Sequence, residues 1–236
     1  MKRRILEALR RAQADRRPVA LVTDLGTGFQ TLVGADGRQQ GDAGLEEEFL
    51  PGVLDAIRRD RRGIVEFYDG RFFINIFPPP SRLLIVGAVH LAQALAPAAR
   101  LAGYDVTVID PRRSFATPER FPDTRLVLEW PDEALDMLAP DARTAIVTLS
   151  HDPKFDDPAL VRALAGPAFY IGALGSRKSH AARLERLRAQ GLADDALTRI
   201  HGPVGLDTGA VTPGEIAVSI LAEMTLALRG PKHRAG

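Results

Sequence analysis

The 236-residue chain contains no cysteine. That absence removes disulfides, thiolate metal sites and any mechanism that carries a nucleophile or a persulfide on the protein's own sulfur. An excess of charge of either sign is also lacking: 31 Lys and Arg face 30 Asp and Glu, a formal charge of +1. No Lys/Arg run is interleaved with aromatics, so nucleic acid is not an expected partner. No uninterrupted apolar run approaches a membrane span, and the opening MKRRILE places charge where a signal peptide carries its apolar stretch. The expectation is a cytoplasmic protein with no membrane association. Its length is enough for one large domain, or a medium domain with a smaller attachment, to bury a core unaided.

What is present changes character at Pro78-Pro79-Pro80. Three successive residues without backbone donors favour an extended conformation and mark a boundary. Ahead of it, Ile5, Leu6, Leu9 and Ala12 recur at helical spacing over 2–14. Strands are expected at 18–24 and 29–33 around a Gly26-Thr27-Gly28 turn, then a helix over 45–59 kinked at Pro51-Gly52, then a hairpin of 63–68 and 71–77 closed at Asp69-Gly70. Residues 1–77 read as a small α+β domain. Beyond the prolines, short apolar runs at 83–86, 106–109, 126–128, 145–149 and 168–171 alternate with helical stretches near 89–102, 132–138, 157–165, 176–190 and 213–229. Runs apolar on both faces suit strands covered on both sides, and their alternation with helices predicts a parallel sheet. The expected fold class is α/β, a Rossmann-like parallel-sheet domain over 78–236 preceded by the α+β domain.

Four segments at expected strand ends could carry chemistry. Gly87-Ala88-Val89-His90-Leu91-Ala92 follows a strand and opens a helix, with Asp110 closing the next strand 23 positions after Gly87. This is the context of a dinucleotide site, although Val89 stands where the usual pattern needs a second glycine for close approach of a pyrophosphate. Gly87 and Ala92 equally suit a tight turn and close helix packing without a ligand. In Gly172-Ala173-Leu174-Gly175-Ser176-Arg177-Lys178-Ser179-His180, Ser176 can cap a helix while Arg177 and Lys178 add positive charge where the helix dipole is already positive, which suits an anion. A solvated basic face, continued by Arg183, Arg186 and Arg188, is the plainer account of those cations. Ser150-His151-Asp152 ends the fourth strand, where ligands of open α/β sheets bind, though Asp152 also suits a cap for a helix begun at Pro153. The glycine-rich loop from His201 through Gly205, Asp207 and Gly209 suits a cofactor or simply a turn, and Thr212-Pro213-Gly214-Glu215 after it is a capping box. No histidine spacing supports a metal site.

The segments GAVHLAQAL from Gly87, DPR from Asp110, SHD from Ser150, YIGALGSRKSHAARLERL from Tyr170 and RIHGPVGLDTGAVTPGEIAVSILAEM from Arg199 resemble the XdhC/CoxI accessory proteins of xanthine dehydrogenase and related molybdenum hydroxylases. The resemblance implies a Rossmann-type carboxyl-terminal domain and an accessory or chaperone role: binding molybdenum cofactor (molybdopterin) as cargo, supporting its sulfuration, and passing it to an apo molybdoenzyme of the xanthine dehydrogenase class. A cysteine desulfurase as further partner and a homodimer are implied as well. The cofactor-facing residues would be Gly87, Ala88, His90, Asp110, Ser150, His151, Gly172, Gly175, Ser176, Arg177, Lys178, His180, His201, Gly205, Asp207 and Gly209. The family usually reads G-A-G-H-V-A at the first loop and carries S-S-P-R-like and G-G-C segments nearer the amino terminus. Here Val89 replaces the second glycine, and Asp24-Leu25-Gly26-Thr27-Gly28 and Gly41-Asp42-Ala43-Gly44 stand in those neighbourhoods. The alternative is an NAD(P)-binding oxidoreductase or nucleotide-sensing protein.

Overall fold

A computed structural model describes residues 2–230. Residue 1 and residues 231–236, at the outer ends of the two expected domains, lie outside that range. The chain divides into two compact units, Met1–Pro80 and Ser81–Gly236.

In the first unit, helix α1 (Arg3–Ala14) precedes strands β1 (Val19–Asp24), β2 (Gln30–Gly34) and β3 (Gln39–Gly41), helix α2 (Leu50–Arg58) and strands β4 (Gly63–Phe67) and β5 (Gly70–Phe77). The five strands form an antiparallel sheet in the order β3-β2-β1-β5-β4. Side chains of a strand alternate between faces, so β1 serves two cores. Val19 and Leu21 pack with Ile5, Leu9 and Ala12 of α1, while Ala20 and Val22 pack with Phe49, Val53 and Ile57. Two sequence expectations are corrected. Pro51 lies in the first turn of α2 instead of kinking a longer helix, because a helix start leaves N–H groups without intrahelical partners and loses nothing to a proline. The hairpin turns at Tyr68-Asp69, with Phe67 paired to Gly70, and Tyr68 takes the positive φ of 50°.

The second unit runs β6 (Arg82–Val86), α3 (His90–Leu101), β7 (Asp105–Ile109), β8 (Arg125–Val127), α4 (Pro131–Leu138), β9 (Thr144–Thr148), α5 (Pro153–Ala165), β10 (Tyr170–Ala173), α6 (Arg177–Ala189), α7 (Asp194–Leu197), β11 (Ile200–His201) and α8 (Pro213–Arg229). All its strands are parallel, in the order β11-β10-β9-β6-β7-β8. Counted within the unit this is 3-2-1-4-5-6, the doubly wound dinucleotide-fold order, with its reversal between β6 and β9. Leu83 and Ile85 point into a core closed by α3 and α8; Leu84 and Val86 point into one closed by α4 and α5. The α/β class, with a Rossmann-like domain after a smaller α+β region, is what the structure shows. No helix among the described residues is long and apolar enough to cross a membrane.

Candidate functional site

At the reversal point the loops after β6 and β9 meet. Gly87 has φ +105°, and a Cβ there would lie 2.9 Å from the Ser150 amide nitrogen. A side chain is therefore excluded by backbone conformation and by its neighbour together. Ala88 is buried and its N–H donates to Asp110 Oδ2 at 2.8 Å. The same carboxylate accepts from Arg112 through Nε (2.8 Å), Nη2 (2.7 Å) and the backbone amide (2.9 Å). Burial pushes the Asp110 carboxyl up, but the hydrogen bonds from Arg112 and Ala88 outweigh it and hold the group below the ordinary carboxylate range. The Arg112 guanidinium lies over Phe115 and Phe155, at 4.3 and 4.9 Å from the ring centres. Val89 occupies the N-cap of α3, and His90 is exposed at its first turn.

Ser150 turns inward. Its hydroxyl donates to Asp156 Oδ1 at 2.6 Å. Next to it His151 is exposed and holds φ +60°, a left-handed conformation uncommon outside glycine. Asp152 caps α5 by accepting from the Lys154 amide at 2.9 Å. Asp156 and Arg183 are both buried, with Asp156 Oδ2 and Arg183 Nη2 3.8 Å apart, near enough for attraction but too far for a hydrogen bond. Burial pushes the Asp156 carboxyl up and the Arg183 guanidinium down. Arg183 also donates to the Leu174 carbonyl (2.7 Å) and approaches His180 Nδ1 (3.4 Å). A polar chain Ser150–Asp156–Arg183–His180 thus links the end of β9 to α6.

The second focus lies beyond β10 and β11. Gly172, expected in a loop, sits inside β10 and pairs with His201. Gly175 leads into α6, whose N-cap Ser176 accepts from the Ser179 amide at 3.1 Å. Arg177 and Lys178 occupy the first turn and are exposed, and Arg177 faces Asp207 at 3.6 Å with both side chains almost fully in solvent. Burial, then Arg183, pushes the His180 imidazole down, which keeps the ring neutral at neutral pH. This ring fills the space beside Gly202 that any Cβ there would need. A cavity of about 390 Å³ opens here, and Gly175, Arg177, Gly205, Asp207 and Gly209 all line it. His180 and His201 stand beside Gly202; Gly87, Ala88, His90, Asp110, Ser150 and His151 form the separate focus at the reversal point.

Sequence reasoning missed a carboxylate in α8. Glu223 accepts from His201 Nδ1 (2.9 Å), from the Tyr170 hydroxyl (2.5 Å) and from the Gly205 amide (2.7 Å). The Tyr170 ring lies against His201 at 4.6 Å between centres, and burial followed by Glu223 pushes its phenol far up, so it stays protonated. The Glu223 carboxylate thereby fixes the orientation of the His201 ring. The available signal was an acidic residue beside Ile220 and Met224 on the apolar face of α8. Among the described residues no group of His, Asp and Glu could hold a metal ion.

Residues 83–224 match the family model of the XdhC Rossmann domain. An uncharacterized protein of Escherichia coli (strain K12), YqeB, is 37% identical over 157 residues, 64% of this chain and 28% of YqeB. PaoD of the same strain, a molybdenum cofactor insertion chaperone, is 33% identical over 148 residues, 63% of this chain and 40% of PaoD. A probable xanthine dehydrogenase subunit of Bacillus subtilis (strain 168) is 32% identical over 153 residues, 64% of this chain and 44% of that protein. The matched region thus spans less than half the length of each of these relatives. A solved xanthine dehydrogenase from Bacillus halodurans shares the fold, with a TM-score of 0.78 at 24% identity over 99% of this chain and 66% of that one.

Proposed function

The chain belongs to the XdhC family, and from that premise we propose that it is an accessory protein that holds molybdenum cofactor and supports its sulfuration or insertion into a molybdoenzyme of the xanthine dehydrogenase class. The names of two relatives, a molybdenum cofactor insertion chaperone and a probable xanthine dehydrogenase subunit, support that role. The observation that carries it to this chain's own residues is the cavity of about 390 Å³ where Gly175, Arg177, Gly205, Asp207 and Gly209 meet. The first N–H groups of α6 point from a helix N-terminus, where the dipole favours negative charge. Arg177 and Lys178 add two cations, so the phosphate of the cofactor binds at Gly175, Ser176, Arg177 and Lys178. Its ring system faces His180, His201 and Asp207, with Glu223 fixing the His201 ring. Gly172, paired with His201, and Gly87, Ala88, His90, Asp110, Ser150 and His151 at the reversal point complete the proposed set.

With no cysteine in the chain, a sulfur atom for the cargo comes from another protein. A cysteine desulfurase is the partner that supplies it, an apo molybdoenzyme the partner that receives the product, and a homodimer the working form. The second reading, an NAD(P)-binding oxidoreductase or nucleotide-sensing protein, draws support from the strand order β11-β10-β9-β6-β7-β8. It requires Asp110 to meet a ribose although the carboxylate already accepts from Arg112 and Ala88.

The test is to incubate the purified protein with cofactor released from a molybdoenzyme, separate free ligand by gel filtration, and assay molybdenum and pterin. Retention of both, with protection against oxidation, is expected. Loss of both at micromolar protein, together with saturable binding of NAD(H) or NADP(H), would replace the first reading by the second.

A further inference from the structure

A cavity of about 590 Å³, larger than the one at β10 and β11, is lined wholly by residues of the amino-terminal unit, and the proposed function leaves it unused. Its walls are aromatic. Phe49 stacks on Phe67 at 4.7 Å and lies 4.8 Å from Phe72, and Tyr68 meets Phe67 edge-on at 4.5 Å. Phe49 belongs to the core beneath α2, but Phe29 and Tyr68 stand at the cavity 50% and 70% exposed. Core packing asks for neither ring to be there. The hydroxyl of Tyr68 donates to Glu48, which holds this ring at the hairpin turn.

The charge in the lining has one sign. Asp24, Glu46 and Asp69 contribute to it, and among the described residues that line the cavity none is Lys, Arg or His. Hydrogen bonds from the Thr27 hydroxyl and the Gly26 amide hold the Asp24 carboxyl below its ordinary range, so it is ionised at neutral pH. Aromatic faces carry the negative side of the ring quadrupole, and carboxylates add full negative charge. An anion, including any phosphate ester, is repelled by such a lining.

We propose that this cleft is a binding site for a small organic cation, an ammonium or amidinium group on an apolar or aromatic body, with the rings taking the body and the carboxylates facing the charge. The inference does not rest on the molybdenum-cofactor reading and stands or falls separately from it.

Benzamidinium, its neutral isostere benzamide and its anionic isostere benzoate, titrated into the 236-residue protein by calorimetry and ligand-observed NMR, test the proposal. Saturable benzamidinium binding is expected, roughly tenfold tighter than benzamide, with no binding of benzoate. Glu46 and Asp69 are exposed, so Glu46→Gln with Asp69→Asn changes charge without touching the core. Tyr68→Asn removes the ring with a residue that tolerates positive φ. Each variant is expected to weaken benzamidinium several-fold. Absence of saturable binding, equal binding of all three probes, a preference for benzamide or benzoate, or an unchanged benzamidinium affinity in both variants would overturn it.

Discussion

Buried charge at the end of β7 is stabilised by geometry that a sequence does not display. Asp110 was legible as a strand-end carboxylate 23 positions after Gly87, but Arg112, two residues on, reads equally well as a solvated loop cation. The structure turns it back onto Asp110, and removing the carboxylate strands both a guanidinium and the buried Ala88 amide. Asp110→Ala is therefore expected to lower stability by about 2–4 kcal/mol in urea denaturation. Asp42 offers a second, pH-dependent case. Hydrogen bonds from Lys2 and then Arg4 hold its carboxyl down to about 2, below the ordinary 3.8. A carboxylate depressed in the folded state adds stability that is complete above the ordinary value and is lost as pH falls toward the depressed one. A melting-temperature titration of Asp42→Asn against wild type should show the variant losing less stability between those two pH values; parallel curves would remove Asp42 from the acid response. Glu223, by contrast, was illegible in its role, because its three partners come from β10, β11 and the following loop.

At the scale of elements, the long ones followed from period and caps. The 213–229 helix was written in Thr212, Pro213 and Glu215, and its capping box is present. Three short elements did not follow this way: β3, α7 and β11 have three, four and two residues, too few to show any period, whereas the equally short β8 showed as the apolar run 126–128. Helix α6 carries the functional argument, since Arg177 and Lys178 sit where a cation opposes the dipole. The ion pair of Arg177 with Asp207 is exposed and adds little. Arg177→Ala should consequently leave the melting temperature unchanged or raise it slightly, by an amount equivalent to about 0.3–1 kcal/mol, while weakening anion binding. A clear fall in stability would mean that Arg177 serves the fold. Ser176→Ala, which removes the cap, should cost about 1 kcal/mol in the same assay.

For the whole molecule, the α/β class could be read from alternating apolar runs and helices, whereas the strand order could not. Right-handed crossovers and parallel pairing are generic, and nothing in Leu83 to Val86 announces that β6 lies between β7 and β9. The reversal at that place then decides which loops lie at the sheet's binding edge. The two compact units each hold their own core, and we propose on that ground that they are separate folding domains. Residues 81–236 expressed alone should unfold in one cooperative transition; a broad, non-cooperative melt would show that the second unit depends on the first.

The most direct measurement is a calorimetric titration of molybdenum cofactor into the 236-residue protein and into Arg177→Ala/Lys178→Ala, with folding of both checked by thermal melting. Stoichiometric binding to wild type, weakened about tenfold or more in the equally stable variant, is the predicted result. Equal affinity in the two proteins, or no binding to either, would contradict the assignment of the cofactor's phosphate to the N-terminus of α6.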